Sequence, residues 1–379
     1  MWNALTGAEL QQLNGHTDWV KSVAYSYNGA YIVSGSDDKS MWEWDALTGA
    51  KLWQLNGHTQ RINSVAFSHD SIYIVSGSSD KSVRVWNTST GVEIQQINGH
   101  TDFVNCVAFS HTSTKIVSGS DDKSVRVWDA SIGAELQRLN GHTNFVNSVA
   151  FSHDGIHIIS GSDDQSVWVW DASTGAGLQQ LNGHISWVRS VGFSHDSTQI
   201  VSGADDKSVR VWNSLTGAEL QCLNGHTDQL NSVAFSQDST HIVSGADDKS
   251  IRVWDAFTGA ELHQLNGHTH SVRSVAFSYD GIYIVSGSCD RSIRIWSALT
   301  GAELQQLNGH TDWVKSVAFS HNGIYIASGS DDKSVQVWNV LTGAELQKLT
   351  DHTQRVNSVA ISYHDIYIVS GSDDKSVRV

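Results

Sequence analysis

The sequence predicts an all-β protein built as a closed radial array of nine repeats, and three observations carry that prediction. A unit of 42 residues recurs without insertion or deletion along all 379 residues. Each unit holds four short β-prone runs separated by turn residues, and no stretch carries a helical period. The chain stops where every other unit continues, and it begins with that missing continuation.

The period is visible in two markers. Gly-His recurs at Gly15-His16, Gly57-His58, Gly99-His100 and onward to Gly309-His310, with Asp351-His352 as a ninth copy that has lost the glycine. Tryptophan keeps the same beat from Trp44 and Trp86 through Trp338. A chain of this length would ordinarily suggest two domains, but a repeat array grows by adding units, so the period overrides that expectation.

Within one unit the candidate strands are Phe103 to Phe109, Ile116 to Ser120, Val125 to Trp128 and Leu136 to Leu139. Turn chemistry separates them, as in Ser152-His153-Asp154-Gly155, Ser120-Asp121-Asp122-Lys123 and Thr48-Gly49. Four short strands make one blade, and a blade cannot bury both faces alone. Stacking blades around an axis solves this, which is a β-propeller.

Composition narrows the function classes. The net charge is -15, from 39 acidic and 24 basic residues. That argues against a nucleic-acid backbone or an anionic membrane as the main partner, since both need clustered Lys and Arg. Cys106, Cys222 and Cys289 are too few for a disulfide framework and read as reduced thiols of a cytoplasmic protein. No apolar run of about 18 residues occurs, so no membrane span is expected. The opening Trp2-Asn3 is not a basic, apolar leader. Proline is absent, and Gly, Asp, Asn and Ser serve the turns.

The Gly-His start, the Ser-Gly-Ser-Asp-Asp-Lys-Ser turn and the closing Trp-Asp (Trp44-Asp45, Trp128-Asp129, Trp170-Asp171, Trp254-Asp255) resemble the WD40 family. Elsewhere the closing Asp becomes Asn (Trp86-Asn87, Trp212-Asn213, Trp338-Asn339) or Ser (Trp296-Ser297). The resemblance covers the whole chain. Such uniform copies are also similar to the sensor arrays of fungal and bacterial NACHT-type signalling ATPases, although no nucleotide-binding portion is present. The resemblance implies one WD40 β-propeller over 1–379, with four-stranded blades.

Nine units account for every residue but Met1. The chain ends at Ser376-Val377-Arg378-Val379, and Trp2-Asn3-Ala4-Leu5-Thr6-Gly7 supplies the continuation. Residues 1–14 are therefore expected to form the outer strand of the blade made by 351–379, which removes frayed edges. Nine exceeds the usual blade range of about four to eight. A seven-bladed ring with two loose repeats, or an oligomer exchanging blades, are the alternatives. The integral count and complementary ends favour a single nine-bladed ring and a monomer.

His16, Ser34 or Ser36, Asp38 and Trp44 share one unit, and Ser, His and Asp together could suggest acyl transfer. An active site is normally unique, whereas this set recurs throughout. The WD40 resemblance assigns it to a structural network in which Asp orients His and a hydroxyl links His to Trp. By the same mapping His352 and Asp374 should pair with Trp2. Asp37-Asp38 and Asp121-Asp122 lack the alternating ligands of a calcium loop, and the histidines lack zinc spacing. Gly35-Ser36-Asp37-Asp38-Lys39-Ser40 lacks the second glycine of a phosphate loop. No enzyme activity, metal or cofactor is expected. Arg84 and Arg126 read as stems covering strand surface.

The copies disagree sharply at three positions. Three and five residues after each histidine stand Trp19 and Lys21, Arg61 and Asn63, Phe103 and Asn105, Phe145 and Asn147, and Trp187 and Arg189. The later copies carry Gln229 and Asn231, Ser271 and Arg273, Trp313 and Lys315, and Arg355 and Asn357. Before the framework aspartate stand Asp37, Ser79, Asp121, Asp163, Asp205, Asp247, Cys289, Asp331 and Asp373. The resemblance places all three at one end of the ring, around the central channel. Drift would yield mostly small or polar residues, not Trp, Phe and Arg, and Trp and Arg are the usual anchors of binding hot spots.

The expected function is therefore a non-catalytic scaffold binding a protein or peptide through this variable end. A carbohydrate-binding, lectin-like propeller is the alternative, although a lectin should repeat one pocket in every blade. The turn after the first strand also varies (Tyr27-Asn28-Gly29, His111-Thr112-Ser113, Gln237-Asp238-Ser239), and drift suffices there. Glu43 replaces the Val or Ile of other copies in Met41-Trp42-Glu43-Trp44, where an unpaired carboxylate is costly. A local weakness or a salt bridge is expected.

Overall fold

The computed structural model describes residues 12–13, 15–46, 48, 50–350, 352–361, 365, 368–374 and 377–378. Among them there is no helix, and every repeat forms the strands its pattern predicts. In the third repeat these are Val104–Phe109, Lys115–Ser120, Ser124–Asp129 and Glu135–Asn140. They pair in sequence order as an antiparallel meander. Nine four-stranded antiparallel sheets result. The ninth holds Val356–Ile361, Ile368–Ser372 and Val377–Arg378, and Gln12–Leu13 pairs along the edge of Val377–Arg378.

Alternation sets the core. In strand Ser124–Asp129 the apolar Val125, Val127 and the adjoining Trp128 are fully buried. Each hydrophobic cluster spans two neighbouring repeats: Val75, Val83, Val85 and Ile97 of the second pack with Val104, Val107, Ile116 and Trp128 of the third. The core therefore lies between sheets, which is why one sheet alone could not be stable. Each Val or Ile so buried contributes about 1.5–3 kcal/mol. Val369 of the ninth repeat packs in the same way with Val20, Ile32 and Trp44 of the first.

The close approach of sheets explains one repeated glycine. A Cβ on Gly77 would stand 2.8 Å from Val104 Cγ1 and 2.9 Å from Val107 Cγ1 of the next sheet. The Gly of Gly-His answers to a different neighbour. At Gly57 an added Cβ would meet Arg84 Nη1 at 2.5 Å and Glu93 Oε2 at 2.7 Å. Arg84 and Arg126 are accordingly not loose stems over strand surface. They are buried and ion-paired across the third and fourth strands, Arg84 to Glu93 and Arg126 to Glu135, both at 2.5 Å.

Glu43 takes the inward position of its strand, opposite Val33 and Trp53 in the ladder. It is fully buried, and neither carboxylate oxygen has a hydrogen-bond partner. Among the described residues no salt bridge compensates it, which removes the ion-pair expectation. Burial pushes its carboxyl up to about 8, which keeps it neutral at neutral pH.

Candidate functional site

The repeated polar set comes together in each described copy. In the first repeat His16 Nδ1 lies 2.9 Å from Asp38 Oδ2, and His16 Nε2 lies 2.8 Å from Ser34 Oγ. The Trp44 indole donates to the same Ser34 oxygen at 3.1 Å. Asp38 also accepts from the Thr17 and Ser40 amides, at 2.6 and 2.8 Å, so it holds two loop segments together. The arrangement assigns the proton on Nδ1 to the aspartate, leaving Nε2 to accept from serine.

In the second repeat, burial alone would raise the Asp80 carboxyl. The hydrogen bond and charge of His58, with the bonds from Ser82 and Thr59, outweigh burial and hold it well below the usual carboxylate range. Burial lowers His58 itself despite that partner. The serine of the set is fully buried and its oxygen is engaged by the indole. The network is built to fix turns, and it offers no nucleophile to solvent. In the ninth repeat His352 contacts Asp374 at 2.7 Å and Ser370 at 2.9 Å. Trp2, expected to complete that set, lies outside the described residues.

The three variable positions converge. In all nine repeats the amide before the framework aspartate donates to the carbonyl three residues after the histidine, as in Asp37 to Trp19 at 2.7 Å and Asp163 to Phe145 at 2.9 Å. The position five residues after the histidine is the extra residue of a β-bulge, since pairing passes from Val104↔Ser120 to Cys106↔Gly119 and skips Asn105. Bulges re-aim a side chain, and here they turn it toward the other two positions. Lys21, Asn63, Asn147, Arg189, Asn231, Arg273, Lys315 and Asn357 occupy the same bulge in the other repeats.

Side chains then pair within the triple. Asn105, Asn147, Asn231 and Asn357 each donate to Asp121, Asp163, Asp247 and Asp373 at 2.7 Å. Lys21 lies 3.5 Å from Asp37 and Lys315 3.5 Å from Asp331, while Arg189 reaches Asp205 at 2.8 Å and Arg355 bonds Asp373. Where the aspartate is replaced, Arg61 and Asn63 bond Ser79, and Arg273 donates to Cys289 Sγ and lies 3.3 Å from Asp247. Gln229 contributes its carbonyl, which accepts from the Asp247 amide.

The seven aspartates are thus a paired layer, and the outward elements are aromatic rings and cations. Trp19, Phe145, Trp187 and Trp313 are each more than two fifths exposed. In Asp331 burial raises the carboxyl despite Lys315 and Arg355, and its Oδ1, like that of Asp37, has no partner among the described residues.

The opposite end carries a feature that sequence reasoning set aside. In the turn after the first strand, Tyr27, His69, His111, His153 and His195 follow one another ring to ring on consecutive repeats, with centroids 3.9–6.5 Å apart. A cavity of about 500 Å³ opens there, lined by Tyr25, Phe235, Phe277, Phe319 and Tyr279 among others. A run of histidines at the 42-residue spacing was the available signal.

Comparison with known proteins agrees with this geometry. The family model described as WD domain, G-beta repeat matches residues 7–45, 49–87, 91–129, 133–171, 175–213, 217–255, 259–297, 301–339 and 343–379. No curated protein matched. Among solved structures, the chain is similar to the computationally designed Ika8 protein in a P63 crystal packing, at 31% identity and a TM-score of 0.69. That match covers 98% of this chain and 99% of the design. With nine matched segments along its length, the chain belongs to the WD40 family.

Proposed function

We propose that the chain is a non-catalytic platform that binds a protein or peptide through its variable end. Family membership makes it a propeller scaffold of the kind that generally mediates protein interactions. The observation that carries the finer reading is the β-bulge, which in every repeat aims one of the three disagreeing side chains at the other two. Framework and variation are thereby segregated: the His-Asp-Ser-Trp set is buried, while Trp19, Phe145, Trp187 and Trp313 reach solvent. Large exposed aromatics beside Arg and Lys have the composition of binding hot spots.

The reading takes 1–379 as one closed nine-bladed ring, a monomer, with residues 1–14 supplying the outer strand of the last blade. Pairing of Gln12 with Arg378 and Leu13 with Val377 supports it, as does Arg355 of the ninth repeat placed 6.0 Å over Trp19 of the first. Replacing Trp19, Trp187 and Trp313 together by alanine should abolish capture of the partner without lowering the melting temperature. Undiminished capture would exclude this surface. A glycan array run beside the capture addresses the carbohydrate alternative, which the cations stacked on these rings disfavour.

A further inference from the structure

Five aromatic side chains stand at the variable end, and four of them have a cation against the ring. Lys21 lies 4.7 Å over Trp19, Arg189 4.6 Å over Trp187 and Lys315 5.2 Å over Trp313. Arg61 of the preceding repeat lies 5.8 Å over Phe103. In the three tryptophan cases the same cation also reaches the carboxylate of its triple, Asp37, Asp205 or Asp331. Each is a box with an aromatic wall and a carboxylate, filled by the chain's own Lys or Arg.

Phe145 is the exception. Its repeat places Asn147 where the filled boxes place Lys or Arg, and the preceding repeat presents Phe103 where it could have presented arginine. Among the described residues no cation stacks on the Phe145 ring, which is 42% exposed. Asp163 is tied to Phe145 through its amide, so wall and carboxylate are held as in the filled boxes. Its Oδ1 accepts from Asn147 and lies 3.8 Å from Arg189 of the next repeat, a longer ion pair than the 2.8 Å one Arg189 makes with Asp205. The following turn carries Gln165, where every other copy has Lys or Arg.

We propose that the Phe145–Asp163 box binds a lysine or arginine side chain of a partner segment. The proposal rests on the variable end being the recognition surface and specifies the chemistry of its partner. The filled boxes define that chemistry: at the equivalent positions one repeat on, a tryptophan wall and an aspartate hold a guanidinium, and in the first and eighth repeats an ammonium. The quadrupole of the ring attracts the cation and Asp163 completes the pair. A net charge of -15 raises the local concentration of basic segments.

Ligand-observed NMR titrations with Gly/Ser nonapeptides carrying one central arginine, lysine or citrulline test this. The arginine and lysine peptides should bind and the citrulline peptide should bind more weakly. Asn147→Lys fills the box as the first and eighth repeats do and should weaken binding about fivefold or more, as should Phe145→Ala. Lys315→Asn opens the Trp313 box and should add a second site. Melting curves matching the parent protein establish that these surface variants fold.

Equal binding of citrulline and arginine, or binding unchanged in Asn147→Lys, overturns the proposal. So does absence of any cationic-peptide binding while the triple tryptophan variant still loses its partner; in that case the recognition surface stands and the box falls. If the cationic peptides bind but the triple variant keeps its partner, the box stands and the wider surface falls.

Discussion

Glu43 provides the sharpest energetic prediction. Its neighbours in the ladder are apolar, it is fully buried, and its carboxyl is pushed up to about 8 from an ordinary 4.5. Below pH 4.5 the carboxyl holds its proton in both folded and unfolded chains and costs nothing by titration. Between 4.5 and 8 the folded chain must keep a proton that the unfolded chain has released, so stability falls as pH rises. Above 8 the penalty is constant, at about 5 kcal/mol, and at pH 7 it is about 3 kcal/mol.

Glu43→Val, the residue most other repeats use here, removes this penalty and restores apolar contact. Denaturant unfolding of both proteins across pH 4 to 9 measures the difference. The variant should be more stable by at least about 3 kcal/mol at pH 7, with the gap smallest near pH 4, where only the buried unpaired carboxyl remains to be removed, and growing until about pH 8. Glu43→Gln should flatten the pH dependence while recovering less stability, because an unpaired amide stays buried. A gap that is absent at pH 7, or that does not grow with pH, would refute the reasoning.

Other perturbations test other contacts. Asp80→Asn should cost about 2 kcal/mol in denaturant unfolding through loss of charge-assisted bonds to His58, Ser82 and Thr59. Because the Asp80 carboxyl is held below its ordinary value of 3.8, its contribution is present above that pH and lost on acidification below it, and the variant should lose this part of the acid sensitivity. Gly77→Ala should lower stability by about 1–3 kcal/mol, since its Cβ would overlap Val104 and Val107 of the next sheet. Gln336 is buried with its amide unpartnered among the described residues, in the place where five other repeats have an arginine paired to glutamate. Gln336→Arg should gain up to about 1 kcal/mol by pairing with the exposed Glu345, measured as a rise in melting temperature.

Much of the fold was legible because a fixed period reports the same local answer nine times. Short β-prone runs such as Val125 to Trp128 gave the third strand to within a residue of Ser124–Asp129. The fourth strand was harder: Leu136 to Leu139 falls inside Glu135–Asn140, whose half-exposed surface carries Glu, Gln and Arg. Arg84 was misread for a related reason. Its partner Glu93 lies on the next strand, and spacing along the chain does not reveal which side chains meet across a ladder.

At the site, the variable positions were visible as disagreements among the copies. Their place at one end of the ring was implied by the resemblance, but their side-chain pairing was not, because a β-bulge leaves no mark of its own in a strand that otherwise alternates normally. In sequence the seven aspartates stand only as one of the three variable positions, and pairing by Asn105, Asn147 and Lys21 makes them a supporting layer. The histidine ladder went unremarked because a single turn histidine reads as drift, and only placement on adjacent sheets brings His69 within 3.9 Å of His111.

The central claim is one closed ring of nine sheets presenting its variable triples together. End-on electron-microscope images of the intact chain, averaged without imposed symmetry, test it directly. Nine equal lobes around one channel, with no gap where the ninth repeat meets the first, is the predicted result. A ring of seven lobes with two repeats outside it, an open arc, or paired particles sharing blades would contradict it.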